Sequence, residues 1–563
     1  MDCRLAAIPS DHYHWAMTLS ATPPADSRRR SDKGVLILAL GLGGLCLFPL
    51  VAVLVAALTG GVDTALKLAT TRLPTLAGNT LLLVTIVAVG TAVIGTGTAW
   101  LVTMTRFPGS RLLEYLLPLP LAFPAYVLAY AYTTVLDHPG PVQRTLREVT
   151  GWGPNDYWFP DIRSLPGAAL MLIFVLYPYV YLLTRAMFLS QSASAWVAAR
   201  ALGQSPWGAF RRVSLPMARP AVVGGVLLAV MEVIADVGTV FHFGVPTFAT
   251  GIYQAWFSMG DRAAAAQLAL CLLTLAMALA IAERVMRGRA QYHGAGRRFE
   301  RMEPMRLSAA KAAAAFAACA VPVLFGFVLP LGILFEMAIG SGQNLLSARY
   351  LELVGNSLTL AGLAAVITVA AAGVLLFNAR LHPGWASRSA VGVARLGYAV
   401  PGGVIALGVL VPMAAFDNGL DALMRETFGI STGLLFTGSL LLLLLAYYVR
   451  FAAVAINALG AGLSVVQPQM HLVARTLGER PIGIIRRLFL PLTAPAALTA
   501  GLIVFVDVMK ELPATLIMRP LNFDTLAVQA FRLASDERLN GAAVPSLVTV
   551  SYTHLTLPTK RIV

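Results

Sequence analysis

Long apolar runs separated by short polar and basic stretches dominate the chain. A hydrocarbon layer of about 30 Å needs roughly 20 apolar residues in one helix, because backbone groups there find no water to pair with. By that ruler eleven segments predict spanning helices: 34–58, 78–104, 112–136, 165–189, 217–240, 263–283, 312–339, 356–379, 393–416, 432–456 and 492–513. A twelfth begins at Gly541, but its apolar run ends at Val550, and residues 551–563 read as an anomalous tail without span character. The polar residues 1–33 precede a first span that is too long for a cleaved leader and is expected to stay as an anchor. The predicted fold class is an all-α integral membrane protein.

Composition narrows the function classes. Of 563 residues, 58% are hydrophobic and 12% charged, against about 25% charged in an ordinary soluble domain. A water-soluble enzyme, a disordered chain and a disulfide scaffold are excluded. The four cysteines, Cys3, Cys46, Cys271 and Cys319, form no CxxC pair. The net charge of +15 would point to nucleic acid in a soluble protein, but its distribution gives another reason. With a cytoplasmic N-terminus, the segments 1–33, 105–111, 185–219, 284–311, 380–395 and 450–487 hold 28 Lys and Arg, and the outer segments hold 11. That is the positive-inside pattern, so no nucleic-acid partner is expected and the lipid bilayer is.

A repeat organises the chain. A shift of 275 places Ala199–Ala221 on Ala474–Ala496 without a gap, with 12 of 23 positions identical. Gly78-Asn79 matches Gly355-Asn356, and Pro124 matches Pro401, at a shift of 277. The expected domains are a tail 1–33, a first half 34–284, a basic cytoplasmic linker 285–310, a second half 311–550 and the tail 551–563. The linker carries Arg287, Arg289, Arg297, Arg298, Arg301 and Arg306. With about six spans in each half, the two repeats run parallel.

The duplicated segment lies between the fourth and fifth spans of each half. Ala199, Arg200 and the residues up to Gly203 suit a short helix that stops at glycine, as do Ala474, Arg475 and Gly478. Pro206 and Pro481 then restart the chain. Phe210 and Ile485 offer an apolar face, Arg211, Arg212, Arg486 and Arg487 a charged end, and Leu215-Pro216 and Leu490-Pro491 open the next span. Two such elements suit docking on a two-fold symmetric partner; the alternative is a pair of ordinary loops kept similar by duplication.

With Ala198-Ala199, Gly203, Val213 and Leu215-Pro216, and again Val473-Ala474, Gly478, Leu488 and Leu490-Pro491, the sequence resembles the permeases of binding-protein-dependent ABC importers, whose coupling loop has this spacing. The leading glutamate of that loop is Val197 and Leu472 here, and the second copy lacks the first alanine. The resemblance implies a permease fused from two halves in a bacterial inner membrane. It implies coupling loops docked on a cytoplasmic ABC ATPase dimer that carries the ATP, and cargo delivered by a periplasmic or external solute-binding protein. Asp236–Val240, Gly244–Phe248, Lys510–Leu516 and Phe523–Leu526 look like the ferric-iron permeases. Thiamine or another small solute is the alternative cargo, and an ion-coupled secondary transporter the alternative class.

Five ionisable residues fall within predicted spans: Glu232, Asp236, Asp507, Lys510 and Glu511. Such residues are expensive in a membrane and mark functional sites by default. The shift of 275 places Glu232 on Asp507 and Asp236 on Glu511, and the i,i+4 spacing predicts one helix face for each pair. They are candidates for a central cargo path, for an outer gate, or for structural pairing. No Gly-Lys-Ser or Gly-Lys-Thr phosphate loop occurs, so no catalytic residue, no cofactor in this chain and no tightly bound metal are expected. His12 and His14 stand in the polar tail, and Gly95 and Gly97 suit close helix packing.

Overall fold

The computed structural model describes residues 28–190, 193–288, 304–344 and 346–556. The expected tail up to residue 27 with His12 and His14, the linker arginines Arg289, Arg297, Arg298 and Arg301, and the tail from residue 557 lie outside the described residues. Among the described residues, ten helices are long and apolar enough to cross a membrane: Gly34–Thr59, Leu73–Met104, Leu165–Ser190, Pro206–Ala235, Arg262–Glu283, Ala309–Gly340, Ala348–Leu381, Gly402–Phe428, Leu440–Ser464 and Pro481–Met509. A two-residue parallel pairing sets Thr105 and Arg106 beside Met305 and Arg306, joining the loop after the second span to the end of the linker.

Proline accounts for several departures from the predicted spans. Segment 112–136 is not one straight helix: Ser110–Ala122 and Ala125–Thr150 meet at 93°, where Pro118, Pro120 and Pro124 remove amide donors and crowd the preceding turn. Segment 393–416 is displaced, because Arg395–Ala399 forms a 3-10 turn and the long helix starts only after Pro401, at Gly402. The fifth span of each half begins at Pro206 and Pro481 rather than at Leu215 and Leu490. Each passes its Leu-Pro pair by a π turn, in which the Leu215 N–H reaches Phe210 O and the Leu490 N–H reaches Ile485 O. A proline has no N–H to give, so the helix widens by one residue there instead of stopping.

The twelfth position holds the 18-residue helix Leu539–Thr556. It packs on Leu329–Gly340, Leu490–Met509 and Leu526–Ser535, as Arg262–Gly288 packs on Arg28–Thr59, Leu215–Ala235 and Phe248–Tyr253. Residues 551–556, expected to leave the fold, therefore continue its last helix; the next proline in the sequence is Pro558.

The halves are interlaced. The first helix of the chain packs on Ala348–Leu381, Trp385–Ala394 and Gly402–Phe428 of the second half. In return, Leu329–Gly340 packs on Ala125–Leu136, and Ala309–Val323 packs on Leu73–Met104. One apolar core accordingly joins Ala39, Cys46 and Val53 to Leu360, Val404 and Tyr447. Within the first half the helices close up at glycine. A Cβ on Gly95 would lie 2.6 Å from Val180 Cβ, and one on Gly225 would lie 2.6 Å from Val180 Cα. Gly97 has open space around it and no such role.

Candidate functional site

The helices Leu215–Ala235 and Leu490–Met509 stop just short of Asp236 and Lys510. The predicted common helix face for each acidic pair is therefore corrected: Glu232 and Asp507 are helical, whereas Asp236 and Glu511 lie past the helix ends. Each instead caps a short helix that follows. Asp236 Oδ1 accepts from the backbone N–H of Thr239 at 3.0 Å and of Val240 at 3.2 Å, and Oδ2 accepts from the Thr239 hydroxyl at 3.0 Å. Glu511 accepts from the N–H of Ala514 at 3.0 Å and of Thr515 at 3.2 Å, and from the Thr515 hydroxyl at 2.9 Å. The shift of 275 thus maps one cap onto the other with both backbone donors, Thr239 on Ala514 and Val240 on Thr515, while the hydroxyl donor moves by one position, from Thr239 to Thr515.

All five predicted residues line a single central cavity of about 110 Å³, with walls from both halves that include Pro124 and Pro401. Arg450 joins them, beside Tyr126, Tyr179 and Tyr398. The sequence reading counted Arg450 with the loop cations, but it sits inside the helix Leu440–Ser464. A charge within that helix's apolar run was the signal available. Arg450 Nε lies 3.9 Å from Glu511 Oε1, and Lys510 Nζ lies 3.0 Å from Asp507 Oδ1. Both cations come from the second half. Among the described residues, Glu232 and Asp236 have no ion-pair partner. Four carboxylates against two cations leave a formal excess of two negative charges. Gly402 makes room for this arrangement, since a Cβ there would stand 2.5 Å from Glu511 Oε1. Among the described residues no three His, Cys, Asp or Glu converge as a metal-ion site.

At one end of the bundle stand two short helices, Ala193–Ala201 and Pro468–Thr476. Gly203 and Gly478 end them with φ of 81° and 87°. Gln204 N–H reaches Ala199 O at 3.1 Å, and Glu479 N–H reaches Ala474 O at 3.0 Å, which closes both last turns identically. The arginines mainly hold the turns in shape. Arg212 donates to Gln204 Oε1 at 3.0 Å, and its counterpart Arg487 pairs with Glu479 at 2.5 Å. Arg200 reaches Gln204 O, and Arg475 reaches Leu381 O at 3.0 Å. Arg211 and Arg486 are exposed.

The expected apolar face is corrected. Phe210 is buried against Trp100, with ring centroids 4.9 Å apart, and Ile485 is half-buried. The exposed apolar residues are instead Val197, Leu202 and Trp207, and at the shift of 275 Leu472, Leu477 and Ile482. Apolar residues at three matching positions of both loop copies, repeated at one shift, were a readable signal.

The far end is braced by the other repeated motif. Asn79 donates to Pro246 O at 3.0 Å and Asn356 to Asp524 O at 3.2 Å; Thr80 and Ser357 accept from Phe248 N–H and Leu526 N–H. One contact there breaks the symmetry: Arg163 of the first half binds both carboxylate oxygens of Glu537 in the second, at 2.9 and 3.0 Å, and also Asp137 at 2.8 Å.

Comparison with known proteins agrees with this architecture. Residues 92–290 match the family described as binding-protein-dependent transport system inner membrane component. The chain is 27% identical to the Fe(3+)-transport system permease protein FbpB 2 of Haemophilus influenzae, over 92% of this chain and 95% of that one. It is 24% identical to the probable ABC transporter permease protein y4fN of Sinorhizobium fredii, over 92% and 93%. A shorter stretch, 26% of this chain and 48% of the relative, is 36% identical to the sulfate transport system permease protein CysW of Escherichia coli. These matches support a permease of a binding-protein-dependent ABC importer, a multi-pass membrane protein fused from two halves.

Proposed function

We propose that this permease carries ferric iron from an external solute-binding protein into the cytoplasm, driven by ATP hydrolysed on a separate ATPase dimer. The observation that carries the cargo class is the central cavity, where four carboxylates drawn from both halves stand against two cations of the second half. Such a wall repels an oxyanion such as sulfate and favours a hard cation, for which carboxylate oxygens are the preferred ligands. One of the relatives that match over nearly the whole chain is named for Fe(3+). The exposed apolar triplets at Val197, Leu202 and Trp207 and at Leu472, Leu477 and Ile482 give each half an equivalent surface for one ATPase subunit. That end carries the arginine-rich loops, which favours a cytoplasmic placement for it and for the N-terminus.

The test is uptake of radioactive iron by proteoliposomes holding the permease with its ATPase and binding protein. Iron uptake should require ATP and survive collapse of the ion gradient, and neither sulfate nor thiamine should compete. Uptake that follows a pH gradient without ATP would overturn the reading, and so would faster uptake of sulfate or thiamine than of iron.

A further inference from the structure

The end of the bundle opposite the paired short helices holds a second cavity, about 260 Å³, in the second half only. Arg349, Arg532 and Arg538 line it together with Tyr350, Gln529 and Asp536. Three guanidinium groups against one carboxylate leave a formal excess of two positive charges. Arg532 is partly held by Asp524, 3.2 Å away. Among the described residues Arg349 and Arg538 have no ion-pair partner, although like charges placed side by side repel. Tyr350 is 7% exposed, and its buried hydroxyl has no hydrogen-bond partner. An unsatisfied buried hydroxyl is destabilising, and a donor is what an anion would accept from. Ser347, at the start of the 34-residue helix Ala348–Leu381, lines the same wall without capping it by its side chain. The positive end of that helix dipole adds to the arginine charge.

The first half shows what the same place looks like without such a site. Arg349 corresponds to Arg72 at the shift of 277, and Arg532 corresponds to Gln254 at 278. There Arg72 donates directly to Gln254 Oε1 at 3.1 Å. The first-half arginine is thus satisfied within its own half, whereas in the second half the two corresponding residues are both arginines lining one cavity.

We propose that this cavity is an anion site for a small multivalent oxyanion, bearing phosphate or carboxylate groups, bound between Arg349, Arg532, Arg538 and the Tyr350 hydroxyl. The volume exceeds that of one water-sized ligand several-fold, since a water occupies about 30 Å³. It suits a phosphate or a compact polycarboxylate. The site is separate from the acidic central cavity and does not depend on the cargo proposed for it.

The test uses the purified permease–ATPase complex in phosphatidylcholine nanodiscs, titrated with sodium citrate or sodium phosphate at constant ionic strength. The thermal unfolding temperature should rise saturably with at least one of the two. The Arg349→Gln/Arg538→Gln variant should weaken the apparent affinity at least tenfold, and Arg72→Gln should leave it unchanged. If the double variant does not assemble, Tyr350→Phe decides, because it removes only the buried donor and should weaken binding about threefold to tenfold. Nanodiscs containing phosphatidylglycerol separate the sources. A response lost there identifies a lipid headgroup as the resident anion, and a response retained identifies a free one. Equal saturable responses in wild type and the arginine and tyrosine variants, or no saturable response in phosphatidylcholine, would overturn the site.

Discussion

Exchanging Asp236 for Asn and Glu511 for Gln separates two roles that the structure combines in each residue. Both carboxylates cap short helices, and both line the central cavity. Asn keeps the Asp236 cap, because one oxygen already accepts both backbone N–H groups. Gln at 511 is less conservative, since Glu511 uses one oxygen for Ala514 and the other for Thr515; one hydrogen bond worth about 1 kcal/mol is lost. Alanine at either position removes the whole cap, at about 1–2 kcal/mol each. The charge effect is of a different kind. A carboxylate about 5 Å from a passing unit charge contributes about 3 kcal/mol at an effective dielectric constant near 20, and cavity water reduces this to about 1 kcal/mol. Two neutralised carboxylates then slow a cation about thirtyfold. The assay is the initial rate of ATP-dependent iron uptake per assembled complex, with assembly read by size exclusion. The Asn/Gln pair should assemble normally and transport about thirtyfold more slowly. Uptake within twofold of wild type would refute the reasoning and leave both residues as caps only, more so if the alanine pair loses assembly.

Leucine at Gly203 and Gly478 must adopt φ near +80°, at roughly 1–2 kcal/mol each. Co-purification of the ATPase should fall at least tenfold, and retention of normal association would remove the docking assignment. The same loss is expected from Leu202→Glu with Leu477→Glu, which charges the exposed apolar surface while leaving the glycine stops intact; unchanged association would show that this surface is free. Burial, and then Arg380 and Arg475, hold the His471 imidazole below the usual histidine value. A base depressed in this way contributes stability above its unfolded pKa of about 6.5 and loses it as pH falls towards the folded value. His471→Gln should therefore flatten the loss of thermal stability on acidification below about pH 6.5, and an unaltered pH profile would exclude this histidine as its source. Arg163 holds the Glu537 carboxyl below the usual range, so its contribution is present above about pH 4.3 and disappears as pH falls through the folded value. Because Glu537 is largely exposed, Arg163→Gln should cost less than about 1 kcal/mol of stability, read from thermal unfolding at neutral pH, and a larger loss would refute the exposed-pair reading.

The chain determines by itself what depends on local chemistry. Apolar runs of bilayer length and the two glycine stops are readable because each rests on residues close together in sequence, and the repeat at a shift of 275 because it is a match of residue identities that needs no contact. The five ionisable residues were readable as well, since a charge in an apolar run stands out wherever it points. Tertiary structure decided how these pieces are used. A proline before a long apolar run starts a new helix after Pro124 and after Pro401, but is absorbed by a π turn at Pro216. Which of these happens depends on the packing neighbours, and no local rule distinguishes them. Whether Phe210 faces a partner or Trp100 likewise turned on a helix more than a hundred residues away in sequence. The first helix of each half lies across the other half, and Arg450 of the second half meets a cavity whose unpaired carboxylates belong to the first. Charge balance in that cavity is a sum over two halves, and only their folding against each other brings its terms within range.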